Sequence, residues 1–126
     1  MCLTCYPMGK PTRLFVYGTL KRGGMYHDYL GRAKYLGQGT VKGRLFVRTI
    51  PYLFEGDNLI KGEIYEVNDA EFNRTQGMEE SAGYITSYEE VSGIADVAVF
   101  RMKPEYLEQF ASDPSFIEAT EYSVEQ

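Results

Sequence analysis

The chain has 126 residues, 44% of them hydrophobic and 25% charged, which suits one soluble domain around one core. Its 18 acidic and 13 basic side chains give a formal charge of −5, which argues against a broad nucleic-acid surface. No apolar run approaches the roughly 20 residues that cross a bilayer, and no secretory h-region opens the chain. A cytoplasmic protein without a membrane partner is the expectation.

Residues 1–12 read as a flexible tail, since Pro7, Gly9 and Pro11 discourage regular structure. Cys2 and Cys5 form a lone CxxC there. One pair supplies at most two ligands where structural zinc usually takes four. Pro7 and Gly9 also follow where a redox CxxC would open a helix. Frayed, reduced thiols are the expectation, with no metal site. Residues 13–126 read as a single domain.

Residues 13–17, with a short apolar run from Leu14, suit a central strand, and 18–24 break into small and flexible residues. A strand end followed by such a bend can aim several backbone N–H groups at one spot, which makes an anion or oxyanion site. A plain hairpin turn fits the same residues. Neither a Walker A loop nor GxGxxG is present.

A short helix is expected over 25–31. Tyr35 to Arg48 alternates imperfectly around Gly37, Gly39 and Gly43, as a bent or bulged strand does. A short strand over 51–55, a turn at Gly56-Asp57-Asn58 and a strand over 59–67 follow. Asn68 or Asp69 caps a helix over 69–75, and 76–83 reads as a polar loop. Residues 84–91 and 94–102 read as a hairpin around Ser92-Gly93. Pro104 opens a short helix through Phe110. Phe116, Ile117 and Tyr122 are docking points in an acidic C-terminal stretch. The order implies an α+β fold, a small mixed β-barrel with short flanking helices.

The segment Phe15-Val16-Tyr17-Gly18-Thr19-Leu20-Lys21-Arg22-Gly23 resembles the N-terminal signature of the gamma-glutamylcyclotransferase-like family, which includes gamma-glutamylamine cyclotransferases and AIG2-like proteins. Gly62-Glu63-Ile64-Tyr65-Glu66-Val67 resembles a strand of the same family, and the likeness runs from about Arg13 to Phe100. The resemblance implies a curved mixed sheet and release of 5-oxoproline from a gamma-glutamyl amine or peptide. In that reaction the substrate's own alpha-amine attacks its gamma-carbonyl. The partner implied is a small gamma-glutamyl-type molecule, and no cofactor is required.

The resemblance places substrate binding at Tyr17, Gly18, Thr19 and Leu20, with Tyr84 beside them, although Tyr17 also suits the core. It places a catalytic carboxylate just before a glycine at the end of the first long helix. With Gly77 on that glycine, Gln76 stands at the expected base, and Thr86 stands where the family carries Arg. Gln cannot accept a proton at neutral pH. Such a chain is either a cyclotransferase with its base lost or replaced, or a non-catalytic protein binding a small ligand in the same pocket. Glu79 and Glu80 are alternative bases if the segment after Gly77 folds back. Specificity would sit in the loops around 49–58 and 77–83.

Overall fold

A computed structural model describes residues 12–18, 20, 21 and 27–122. Cys2, Cys5, Thr19 and most of the expected tail lie outside them. The central strand, β1 (Thr12–Val16), begins one residue earlier than expected. It runs antiparallel to β3 (Pro51–Val67) and parallel to β5 (Ile94–Met102). Its uninterrupted apolar run follows from burial on both faces. Leu14 and Val16 enter one core cluster and Phe15 the other.

The helix expected over 25–31 is a single 3-10 turn, His27–Leu30. It leads into β2 (Lys34–Val47), which pairs with β3 from Lys34↔Glu66 to Val47↔Pro51. Register shifts at Tyr35/Gly37 and Gly43/Arg44 bend this pair. The second shift replaces the turn expected at Gly56-Asp57-Asn58. Asn58 faces Gly43, Phe54 faces Arg44, and the extra residues bulge within one continuous strand. Gly56 is needed there because a Cβ would stand 2.4 Å from Arg44 Cγ.

β4 (Tyr84–Val91) and β5 form the expected hairpin. Ser92 and Gly93 both take positive φ, 51° and 86°, as a tight two-residue turn matching the strand twist requires. A short strand, β6 (Ile117–Ala119), pairs with Leu45–Val47 of β2. The strand order is β4-β5-β1-β3-β2-β6.

This mixed sheet curls into a half-barrel. Arg101 spans its concave side, donating to Lys42 O (2.9 Å) and Phe54 O (3.1 Å) and pairing with both Glu89 oxygens (2.6 and 2.8 Å). Its guanidinium links the β4–β5 pair to the β2–β3 pair across β1.

Two short helices flank the sheet. The first, α1, runs Asp69–Ser81 and absorbs most of the loop expected after residue 75. A capping box starts it: Glu71 N–H donates to Asn68 Oδ1 (2.8 Å), and Asn68 N–H donates to Glu71 Oε1 (2.9 Å). Such a cap contributes about 1 kcal/mol. Glu71 Oε2 also accepts from Arg32 N–H (2.9 Å), tying the helix start to the segment after the 3-10 turn. Gly77 does not end the helix, because it sits on the exposed face with open space beside it. The second helix, α2 (Leu107–Ser112), follows a 3-10 turn over Pro104–Tyr106. Phe110 stands edge-on to Tyr52 at 5.0 Å, and Phe116 stacks on Phe110 at 4.4 Å. Tyr122 packs on the second core cluster, whereas Ile117, an expected docking point, stays exposed.

Candidate functional site

Where β1 ends, Tyr17 and Gly18 turn away from the sheet. Lys21 N–H donates to Gly18 O at 2.9 Å and closes a tight turn over 18–21. Gly18 presses against the start of β3, where a Cβ would stand 2.5 Å from Pro51 Cγ. Only glycine allows this approach.

A cavity of about 290 Å³ opens beside the turn, with Tyr17, Gly18, Leu20, Tyr84 and Phe100 buried in its lining. Ile50, Met78, Ser81 and Ala82 are more exposed and form its outer part. Both tyrosine hydroxyls are already committed. Tyr17 donates to Phe100 O, and Tyr84 donates to Pro51 O at 2.6 Å. Burial pushes both phenols above their usual range, and Glu79 reinforces the effect. They act as neutral walls, and Tyr84 also fixes the Pro51 carbonyl behind Gly18.

Glu79 is the acidic side chain of this lining. Burial pushes its carboxyl up to about 7, from the ordinary 4.5. Such a group holds or releases a proton near neutrality.

The helix explains why Glu79 faces inward. At about 100° per residue, Phe72, Thr75 and Glu79 form one stripe, with Gln76 and Glu80 turned progressively to its side. Phe72 and Thr75 are buried, and Phe72 stacks on Phe100. The cavity at the Gly18 turn therefore faces Glu79 rather than Gln76. The Gln76 amide instead donates to Thr86 Oγ1 at 2.9 Å. Thr86 in turn donates to Glu80 Oε2 at 2.9 Å, and Glu80 is exposed.

Tyr17, Gly18, Leu20 and Tyr84 thus converge with Glu79, while Gln76 and Glu80 stand outside the lining. Ile50, Pro51 and Met78 also line the cavity, within the two segments, 49–58 and 77–83, where the sequence reading places specificity. The missed signal was helical spacing: Phe72, Thr75 and Glu79 at i, i+3 and i+7 continue through Gly77. Among the described residues, no cluster of three or more His, Cys, Asp or Glu could hold a metal ion, and no helix is long and apolar enough to cross a membrane.

A half-barrel with a glycine turn and a half-buried carboxyl beside it defines a class, and comparison with known proteins identifies it. The profile of the family described as "Gamma-glutamyl cyclotransferase, AIG2-like" matches residues 14–122. The chain belongs to that family.

PH0828 of Pyrococcus horikoshii, named as a candidate gamma-glutamylcyclotransferase, is 40% identical over 76 residues, covering 60% of this chain and 66% of that protein. Its crystal structure superposes with a TM-score of 0.65 at 33% identity, covering 72% of this chain and 77% of that one. The Drosophila melanogaster protein CG2811, named in the same way, is 40% identical over 86 residues, covering 57% of this chain and 54% of that protein. The mouse AIG2-like protein shares the fold, with a TM-score of 0.75 at 24% identity and coverage of 92% and 90%. The chain spans between about half and two thirds of the length of the curated relatives it matches.

Proposed function

We propose that the protein is a gamma-glutamyl cyclotransferase with an intact base, Glu79. The observation that carries this reading is one half-buried carboxyl, its proton affinity raised toward neutrality, in the cavity that the Tyr17–Gly18 turn and Tyr84 line.

The substrate is a small gamma-glutamyl amine or peptide, bent so that its alpha-nitrogen meets its own gamma-carbonyl. Holding that bend removes most of the orientational cost of ring closure. Ionised Glu79 takes a proton from the alpha-ammonium. The freed nitrogen attacks the gamma-carbon, and negative charge grows on the carbonyl oxygen. Backbone N–H groups of the turn at Gly18 and Leu20 stabilise that charge or grip the substrate carboxylate. Glu79 returns its proton to the leaving nitrogen as the carbon–nitrogen bond breaks, then takes the second proton from the ring nitrogen and passes it to the freed amine. The products are 5-oxoproline and a free amine. Every step is a proton transfer or an acyl transfer, so the chain's own residues suffice.

The test is 5-oxoproline release from a panel of gamma-glutamyl amines and peptides, with the parent beside Glu79→Gln. Release by the parent, reduced about 10³-fold in the variant, is the expected result. Equal release by both would move the base away from Glu79. Tight binding of a panel compound by the parent without release would favour a ligand-binding protein instead.

A further inference from the structure

We propose that Thr86 is the positioning residue of the base, its hydroxyl pinning the helix turn that aims Glu79 into the cavity. The inference rests on Glu79 being the base. Gln76 and Glu80 lie one turn apart on α1, with Glu79 between them. Both reach Thr86 Oγ1 on β4, each at 2.9 Å. The end of the helix is otherwise held by backbone caps, Ala82 N–H to Glu79 O (3.0 Å) and Gly83 N–H to Glu80 O (3.1 Å). Thr86 is thus a side-chain link that ties the helix side next to Glu79 to the sheet.

The chemistry fixes the direction of this link. The Glu80 carboxylate can only accept, so the single Thr86 hydrogen goes to it. The hydroxyl oxygen can then only accept from residue 76, which must carry a donor. Gln supplies one and an ionised Glu does not. Gln76 is therefore a required donor beside the base. A Glu at 76 would compete for the one hydrogen and set two like charges one helical turn apart. Gln76→Glu lowers activity on this reading.

The experiment compares the parent with Thr86→Val, which keeps shape and loses the hydroxyl, and Thr86→Ser, which restores it. Expected for Thr86→Val is a fall in kcat of about tenfold with KM within about twofold. Its melting temperature stays near the parent's, and Thr86→Ser returns to the parent rate. A carboxyl ¹³C titration read by NMR supplies an arm independent of turnover. In the parent a Glu79 midpoint near 7 is expected. In Thr86→Val it drops by about one pH unit or more, as water reaches the released carboxyl, and in Thr86→Ser it does not.

An unchanged kcat and an unchanged Glu79 midpoint in Thr86→Val would overturn the proposal, as would a faster Gln76→Glu. If the parent releases no 5-oxoproline, the reaction reading fails. The titration then decides the positioning role alone: a lower midpoint in Thr86→Val upholds it, and an unchanged midpoint rejects it.

Discussion

At the scale of single residues, Glu79 carries a cost that its function explains. Its folded carboxyl titrates near 7 and an exposed one near 4.5, so the native state binds the proton more tightly than the unfolded chain. Stability therefore declines as pH rises from about 4.5 to about 7 and is level above that range. The penalty for holding the charged form amounts to at most about 3 kcal/mol. Glu79→Gln removes it. This variant should melt at a higher temperature than the parent at pH 8 and close to it at pH 4, while losing turnover. Thermal unfolding at the two pH values checks this, and an equal difference at both would mean that Glu79 is not desolvated. Gly18 makes the complementary case. Gly18→Ala drives a methyl group against the Pro51 ring and should raise KM about tenfold or more by displacing the turn. Steady-state kinetics on the best substrate of the panel reads this directly.

At the scale of elements, the helix α1 is the part that sequence periodicity describes least well. Its buried side is narrow, with Glu71, Phe72 and Thr75 as its buried residues, and Gly77 interrupts the pattern. A helix ending at 75 leaves Gln76 as the nearest candidate. A helix ending at 81 carries Glu79 into the cavity. The strands were more legible. β1 shows an apolar run, the β4–β5 hairpin shows Ser92-Gly93, and β2 shows its glycines at the bends. The turn at Gly18 was legible as a strand end followed by small residues, and Tyr84 only through the family resemblance. Ile50, Pro51 and Met78 were legible only as members of the segments 49–58 and 77–83, since their individual places depend on register across the sheet and on where α1 stops.

The continuous helix has a direct check. Gly77 is an exposed interior position with nothing within 4 Å of an added Cβ. Gly77→Ala should stabilise the protein by about 0.5–1 kcal/mol, read by urea unfolding. A destabilised variant would place residue 77 outside a helix.

At the scale of the whole molecule, the half-barrel is held by a buried charge as well as by its ladders. Arg101 is buried across the concave side, and Glu89 is its charged partner. The guanidinium hydrogen bonds hold the Glu89 carboxyl below its usual range. The stability this pair supplies is therefore present above the ordinary carboxylate range and is lost as pH falls through the lowered value. Glu89→Ala leaves a buried guanidinium without its counter-charge and should cost about 2–4 kcal/mol at pH 7. The cost should shrink toward pH 3, and denaturant unfolding at both pH values measures it.

The curl that Arg101 maintains brings the end of β1, the start of β3 and the end of α1 around one cavity. The pH dependence of 5-oxoproline release by the parent tests that arrangement most directly. An acid limb in kcat/KM with a midpoint near 7, moving lower in kcat once the substrate ammonium is bound, is the result expected of Glu79 as the base. A limb near 4.5, or a limb that persists unchanged in Glu79→Gln, would contradict it.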